Sequence, residues 1–387
     1  MKYYIIAGEA SGDLHGSKLM EGIFAEDPKA DIRFWGGDKM AAIGGTLVKH
    51  YKKGAVMGFW EVFKQAGQLL NNLKNCKKDI LEWKPDVVIL IDYPGFNFEI
   101  AEFAHKAGFK VFYYIAPKVW ASREGRIKKL KAYVDKLFIV FPFEKSYFDS
   151  KGISYIYKGN PLVDEIETSQ ALKETRKDFL KRNNLEDKPI IALLAGSRKG
   201  EINKMMPVLI DFTHQLSQYK RYKNYLFLIG GAPARHMKDY EVHLEKARKK
   251  GIDTSRIKVL FGETQSIVCQ AEAAVINSGT ASLEAALIGT PQVVGYIASW
   301  ISFEIAKRIV KVKYISLGNL IINRLAFKEL IQNDCNADAL VTEVRALIEN
   351  EAYRKKMLDD YTCIKDALGG NGASKSVARA MIEELKK

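Results

Sequence analysis

A chain of 387 residues, 47% apolar and 11% aromatic, is too long for one ordinary core and too apolar for general disorder, so two domains are expected. Its 60 Lys and Arg against 46 Asp and Glu leave a net charge of +14, which suits an anionic partner: nucleic acid, acidic membrane or phosphorylated substrate. The cysteines, Cys76, Cys269, Cys335 and Cys363, are too scattered for a CxxC pair or a Cys/His ligand cluster, which points to a reducing cytoplasm.

Residues 3–7 are an apolar run followed by Glu9 and Asp13, too short for a signal peptide or an anchor, and no later run reaches membrane-spanning length. They predict a buried strand, then the turn GEASGD at 8–13 and a helix with Leu14, Leu19, Ile23 and Phe24 on one side. A second strand is expected over 31–35, closed by Gly36-Gly37. Between 54 and 78, Val56, Met57, Phe59, Trp60, Val62 and Phe63 crowd together, and Leu69, Leu70 and Leu73 continue at helical spacing. Lys52, Lys53, Lys74, Lys77 and Lys78 flank the segment. Such a stretch either fills the first domain's core or rests, with Phe59, Trp60 and Phe63 exposed, at the headgroup boundary of an anionic membrane. The wholly apolar run 87–91 predicts a central parallel strand covered on both faces, and 110–115 and 136–141 repeat the pattern with a helix before each.

Around Gly159-Asn160-Pro161 the pattern pauses, 168–184 reads as a charged helix, and at Pro189 the series restarts. Strand 190–195 leads into GSRKGE at 196–201 and another helix, and 225–229, 259–261, 274–276 and 292–296 supply further strands. This alternation predicts an α/β protein of two facing Rossmann-like domains with parallel sheets. The first spans 1–165, with 366–387 returning to pack on it as a helix, and the second spans 166–365.

Ligands of open α/β sheets bind beyond the carboxyl ends of the strands, so the strand-exit turns are the places to search. In AVINSGTASLEAALIG, 274–289, a strand turns through Ser278-Gly279-Thr280 into a helix whose first N–H groups and dipole can hold a phosphate, with Glu284 one turn in to accept from ribose hydroxyls. Alternatively Ser278 or Thr280 is an ordinary N-cap and Glu284 a solvated helix residue. Gly196-Ser197-Arg198, Gly230-Gly231 and Phe261-Gly262 add glycines, backbone donors and a guanidinium, a set that describes a nucleotide diphosphate site. The first half's exits instead carry Glu9, Ser11, Asp13 and His15, then Asp92 in IDYPGFN. Asp92 is either a general base or the cap of a helix starting near Asn97, and His15 is a rival base. No G-x-G-x-x-G turn supports a nicotinamide dehydrogenase, and no RNP-like stripe, zinc-ligand spacing or helix-turn-helix supports nucleic-acid binding.

In order along the chain, AGEASGDLHG (7–16), IDYPGFN (91–97), APKVWASR (116–123), FPFEKSYF (141–148), AGSRKGEI (195–202), NSGTASLE (277–284) and SLGNLI (316–321) resemble the lipid-A-disaccharide synthases. The chain departs from that pattern at Asn160, where the family usually has His, and at Ala121-Ser122, so Asn160 is left out of the site. The resemblance implies an inverting GT-B glycosyltransferase. It joins UDP-2,3-diacylglucosamine to 2,3-diacylglucosamine 1-phosphate (lipid X), giving a β-1′,6-linked disaccharide 1-phosphate and UDP. It also implies Asp92 as base and Arg198, Ser278 and the Thr280 helix start on the diphosphate, with Gly196, Ser197, Gly262 and Gly279 lining that site. Glu284 would read the ribose, Asn319 close the site, and Glu9 and Asp13, with Ser11, orient the acceptor. Val56, Met57, Phe59, Trp60 and Phe63 would meet lipid, placing the enzyme on the cytoplasmic face of the inner membrane. No cofactor, metal or nucleic acid is implied, and a homodimer is compatible with the sequence. A UDP-sugar epimerase or another GT-B transferase shares the same architecture.

Overall fold

A run of apolar residues is buried on both sides only where helices cover both faces of its sheet, and the strands of this protein are of that kind. The computed structural model describes residues 1–52, 61–117, 125–298 and 313–387, and the backbone alone for 61–66. They form two compact units, Met1–Asp164 with Leu368–Lys387, and Glu165–Ala367.

The first unit runs β1 (Lys2–Ala7), α1 (Ala10–Glu26), β2 (Asp31–Gly36), α2 (Asp38–Ile43), β3 (Thr46–His50), α3 (Glu61–Trp83), β4 (Val87–Ile91), α4 (Pro94–Lys106), β5 (Lys110–Tyr114), α5 (Arg126–Tyr133), β6 (Lys136–Ile139), α6 (Phe143–Ser150) and β7 (Ile156–Tyr157). All its strand pairs are parallel, in the order β3-β2-β1-β4-β5-β6-β7, with Ala7 opposite Ile91 and Ile91 opposite Tyr114. Side chains alternate between two helix layers. Tyr3, Ile5, Ala7, Ile89 and Ile91 share one core with Leu19, Met20 and Ile23 of α1, while Tyr4, Ile6, Val88 and Leu90 share another with Cys76 and Ile80 of α3 and Ile100 of α4.

From α7 (Pro161–Thr168) the chain passes through a 3₁₀ turn (Gln170–Leu172) to α8 (Arg176–Arg182). The single charged helix expected over 168–184 is therefore broken. Ser169 and Thr175 accept hydrogen bonds from the N–H groups of Ala171 and Asp178 at 3.2 Å each, and such polar caps restart the backbone. The second unit continues through β8 (Ile190–Leu194), α9 (Lys199–Leu216), β9 (Leu226–Gly231), α10 (Met237–Lys249), β10 (Ile257–Phe261), α11 (Thr264–Gln270), β11 (Ala273–Asn277), α12 (Thr280–Ile288), β12 (Gln292–Tyr296), α13 (Leu317–Ile322), β13 (Glu329–Ile331), α14 (Ala337–Glu349) and α15 (Glu351–Leu368). Its parallel sheet has the order β10-β9-β8-β11-β12-β13. Ala192, Leu194, Leu228 and Ile276 pack on Ile267 of α11 and Ala285 of α12.

The expected return helix is α16 (Ala373–Lys386), whose Val377, Ala378, Met381 and Ile382 join the α1 core. Asp164 caps its start, accepting from the N–H groups of Gly372, Ala373 and Ser374 at 2.6, 3.3 and 2.9 Å. Two parallel sheets with helices on both faces make each unit Rossmann-like.

Candidate functional site

β1 and β4 leave the first sheet side by side, so Gly8-Glu9 and Asp92-Tyr93 emerge as neighbours. Asp92 and Tyr93 both have left-handed backbone, with φ of 42° and 45°, although neither is glycine. Such residues cost roughly 1–3 kcal/mol each and persist only where the surroundings over-determine them. Here the surroundings do so. The Asp92 N–H donates to the Tyr114 carbonyl at 3.1 Å, and its own carbonyl accepts from Asn97 Nδ2 at 2.8 Å and the Tyr113 hydroxyl at 2.6 Å. Asn97 is fully buried and also holds the Ile91 carbonyl at 3.2 Å. The Tyr93 ring lies over Gly8, where a Cβ would come within 2.2 Å of it, and stacks on Phe96 at 5.7 Å. α4 starts at Pro94, earlier than expected, and its N-cap is Tyr93, so Asp92 does not hold the capping position.

Glu9 is exposed beside this turn and accepts from the Ser11 hydroxyl at 2.8 Å. Burial, then the Glu9 charge, push the Tyr93 phenol up. Asp13, expected to orient an acceptor, is placed otherwise. It is 2% exposed, and its carboxylate accepts from the N–H groups of Gly37 at 2.7 Å and of Lys39 and Met40 at 3.1 Å, at the start of α2. With both oxygens engaged by an orphan helix end, it is a buried cap. Burial and the Lys39 charge hold His15 down at about 4, so its imidazole is neutral at neutral pH.

In the second unit the strand order reverses between β8 and β11, a topological switch point. Gly196 has φ of +108°, and a Cβ there would meet Glu201 at 2.7 Å and Asn277 Nδ2 at 2.9 Å, so the turn after β8 lies against the end of β11. The N–H groups of Ser197 and Arg198 donate to Glu201 Oε2 at 3.0 and 3.1 Å, and the Arg198 guanidinium reaches Glu201 Oε1 at 3.2 Å. That ion pair is weak, because the Arg198 side chain is 85% exposed.

α12 differs. Its N-cap is Gly279 and no side chain caps it, so neither Ser278 nor Thr280 takes the ordinary capping role. The Ser278 N–H is spent on the Gly295 carbonyl at 2.9 Å, and the Ser282 hydroxyl donates back to the Gly279 carbonyl at 2.8 Å. An uncapped helix start carries partial positive charge and free donors, which is what an anion needs. One turn in, burial pushes the Glu284 carboxyl up, opposed by a hydrogen bond from Gln265, whose amide is fixed by the Ser169 hydroxyl at 2.6 Å. Gly262, at φ +75°, leaves β10 two strands from β8.

Asn319 was expected to close the site and is instead a brace. It is fully buried, its Nδ2 donates to the Phe327 carbonyl at 3.0 Å and Glu329 at 2.8 Å, and its Oδ1 accepts from the N–H groups of Ala326 and Phe327 at 2.8 and 3.3 Å. Val56, Met57, Phe59 and Trp60 lie outside the described residues, as does the side chain of Phe63. Further along α3, Leu69 and Leu70 are 39% and 67% exposed, with Lys74 and Lys78 exposed beyond them. The other end of α3 is pinned by Asp79, which accepts from Tyr4 Oη at 2.7 Å and from Arg33 at 2.6 and 2.9 Å. No helix of the described residues is long and apolar enough to cross a membrane. Sequence reasoning missed the roles of Asn97 and Tyr113, which hold Asp92, and of Gln265, which touches Glu284; the polar Asn97 inside IDYPGFN was the available signal.

Comparison with known proteins adds an independent line. A sequence model described as lipid-A-disaccharide synthetase matches residues 3–381. The lipid-A-disaccharide synthase of Syntrophus aciditrophicus is 35% identical over 386 residues, covering 99% of this chain and 97% of its own. That of Coxiella burnetii is 32% identical over 378 residues, covering 97% and 96%. Among solved structures, a complex titled S. aureus MnaA-UDP aligns with a TM-score of 0.71 at 15% identity over 100% of this chain and 97% of its own. The UDP-GlcNAc 2-epimerase of Neisseria meningitidis bound to UDP-GlcNAc aligns at 0.69 with 14% identity, over 99% and 100%. At such identity these structures speak for the fold alone, and the fold they share is GT-B.

Proposed function

The chain belongs to the lipid-A-disaccharide synthase family and is a glycosyltransferase that forms the lipid A disaccharide from UDP-sugar and lipid substrates; from that premise we propose how its own residues carry the transfer. The donor is UDP-2,3-diacylglucosamine, the acceptor 2,3-diacylglucosamine 1-phosphate, and the products a β-1′,6-linked disaccharide 1-phosphate and UDP. The first unit handles the acceptor and the second the donor. Asp92 takes the proton of the acceptor's 6-hydroxyl as that oxygen attacks the anomeric carbon. The C1–O bond to UDP breaks on the opposite side, and configuration inverts in one step. Charge develops on the leaving diphosphate, where the open start of α12, Ser278 and Arg198 offset it without a metal ion. Glu284 accepts from the ribose hydroxyls, and Glu9 with Ser11 orients the acceptor.

One observation carries the reading: two consecutive non-glycine residues in left-handed backbone at the end of a fully buried strand, clamped by Asn97, Tyr113 and Tyr114. Strain of this kind can aim a side chain, and of the two residues held this way Asp92 carries the carboxylate suited to take a proton. The exposed Leu69 and Leu70, with the neighbouring lysines, support docking of α3 on the anionic cytoplasmic face of the inner membrane. Mass spectrometry of the product from UDP-diacylglucosamine and lipid X, run with EDTA present, tests the whole. A disaccharide 1-phosphate with a β-1′,6 link is expected. UDP released without a disaccharide, or activity that returns only with magnesium, would overturn the proposed chemistry.

A further inference from the structure

We propose that Gln292 and Tyr361 are positioning residues for the diphosphate site: through one buried chain of hydrogen bonds they hold the uncapped start of α12 in the shape an anion needs. The inference rests on the reading above that this helix start receives the leaving diphosphate. An unsatisfied oxygen points to it first. Gln292 opens β12 in the run QVVGY and is fully buried, and its Oε1 has no hydrogen-bond partner among the described residues. A buried acceptor without a donor is a standing cost to stability, one that methionine, of similar length and shape, would not carry. The other half of the amide accounts for the glutamine. Its Nε2 donates to the Ser282 carbonyl at 2.8 Å and to the Tyr361 hydroxyl at 3.1 Å. Turned end for end, the amide would set its oxygen against that carbonyl, so only this orientation serves.

From Gln292 the chain reaches both ends of α12. Ser282 carries it to the start, where its hydroxyl donates to the Gly279 carbonyl at 2.8 Å. Tyr361, on α15, carries it to the far end, where its hydroxyl donates to the carbonyl of Thr290, just past the helix, at 3.2 Å. Burial pushes the Tyr361 phenol up, so it stays protonated and can donate, and its ring stands edge-on to Phe327 at 6.1 Å. Ser282 and Tyr361 are buried as well, so water does not compete for these bonds. The bonds to the helix share one property. Each ends on a carbonyl oxygen, of Gly279, Ser282 or Thr290, and none uses a helix N–H. A side-chain cap would also order the first turn, but it would occupy the very donors a diphosphate takes. Anchoring α12 by its carbonyls orders the turn without that competition, and a site already ordered costs its ligand less to bind.

The experiment compares a ligand that carries the diphosphate with one that lacks it. Inhibition constants for UDP and for uridine against the transfer reaction, and the melting temperature, are measured for the parent, Gln292→Met, Tyr361→Phe and the double variant. Gln292→Met should raise the UDP constant roughly 3- to 10-fold, the size of one ordinary hydrogen bond, and leave that of uridine within about twofold. It should melt level with the parent or above it, because the orphaned oxygen goes with the amide. Tyr361→Phe removes an oxygen and no volume, and it should shift UDP in the same sense by less. The double variant should lose little more than Gln292→Met alone, since the two act as one chain. Unchanged UDP inhibition in both single variants would overturn the proposal. Equal losses on UDP and uridine would overturn it as well and make the pair a support of the fold. Thr280→Pro, read against Thr280→Val, separates this inference from the reading it rests on. Proline deletes one N–H at the first helical position, where it is tolerated, and Gly279 before it is already extended. If Thr280→Pro weakens UDP alone while Gln292→Met does not, the diphosphate reading stands and the brace falls. If Thr280→Pro leaves UDP inhibition as it was, the diphosphate lies elsewhere and both fall.

Discussion

The exits of β4 and β5 in the first unit and of β8 and β10 in the second solve opposite problems. In the first unit the left-handed positions at the ends of β4 and β5 are Asp92, Tyr93 and Ile115, with φ of 42°, 45° and 62°, and a β-branched residue such as Ile115 seldom adopts that region. In the second unit the corresponding positions after β8 and β10 are Gly196 and Gly262. A side chain that must point in one direction can be aimed by strained backbone held from behind, as Asn97 and Tyr113 hold Asp92. A diphosphate is gripped by the backbone itself, which calls for glycine turns and an uncapped helix start. On the proposed assignment, a reactive group and a binding surface leave different marks on one and the same fold.

The largest expected effect tests the aimed side chain. Asp92→Asn should lower kcat by about two to four orders of magnitude, the range for a positioned general base, with UDP affinity measured by calorimetry hardly changed. Turnover within a few fold of the parent would remove the chemical half of the contrast and promote His15. Next comes the gripping edge. Arg198→Ala should weaken UDP binding by about 1.5–3 kcal/mol, as for a hydrogen bond to a charged group, and unaltered binding would leave the backbone of α12 as the principal anion holder. Smaller again is the lipid contact: replacing Leu69 and Leu70 by Ser should weaken sedimentation with anionic vesicles about tenfold while leaving the melting temperature in place, since both side chains already face outward. A drop in melting temperature with vesicle binding intact would show these leucines to be packing residues.

The smallest effect concerns Glu284, and its sign follows from burial. Its carboxyl is raised above the unfolded value, so the folded protein holds that proton more tightly than the unfolded chain does. The stability this gives is complete below the ordinary carboxyl range and is lost as pH rises through the raised value. At neutral pH the ionised Glu284 is then a cost that glutamine does not carry. Glu284→Gln should melt about 1–3 °C above the parent near pH 7.5 and level with it near pH 4, while binding UDP less well. A variant less stable than the parent at pH 7.5 would mean that Glu284 is held by partners that favour its charge.

Much of the architecture is legible in the residues because buried strands need unbroken apolar runs: 87–91 and 292–296 are strands over the spans read from sequence. Three short strands at or near the margins, β3, β7 and β13, carry half-exposed or mixed residues and give no such signal. Among the polar residues, sequence reads type and spacing but not where an oxygen's lone pairs are spent. Asp13 looks like a reactive carboxylate in GEASGD, yet its partners are N–H groups 24 to 27 residues away. Asn319 looks like a ligand in SLGNLI, yet it is used up on a segment seven to ten residues on.

A ribosome releases residues in order, and the first unit is not contiguous in that order. β1, α1 and β2 emerge at the outset, but the core they share with Val377, Ala378, Met381 and Ile382 lacks its last wall until the final helix is made. Residues 165–367 can meanwhile gather into a unit of their own. The half translated first is therefore the half completed last, and through most of synthesis Leu19, Met20 and Ile23 must wait without the surface that will cover them.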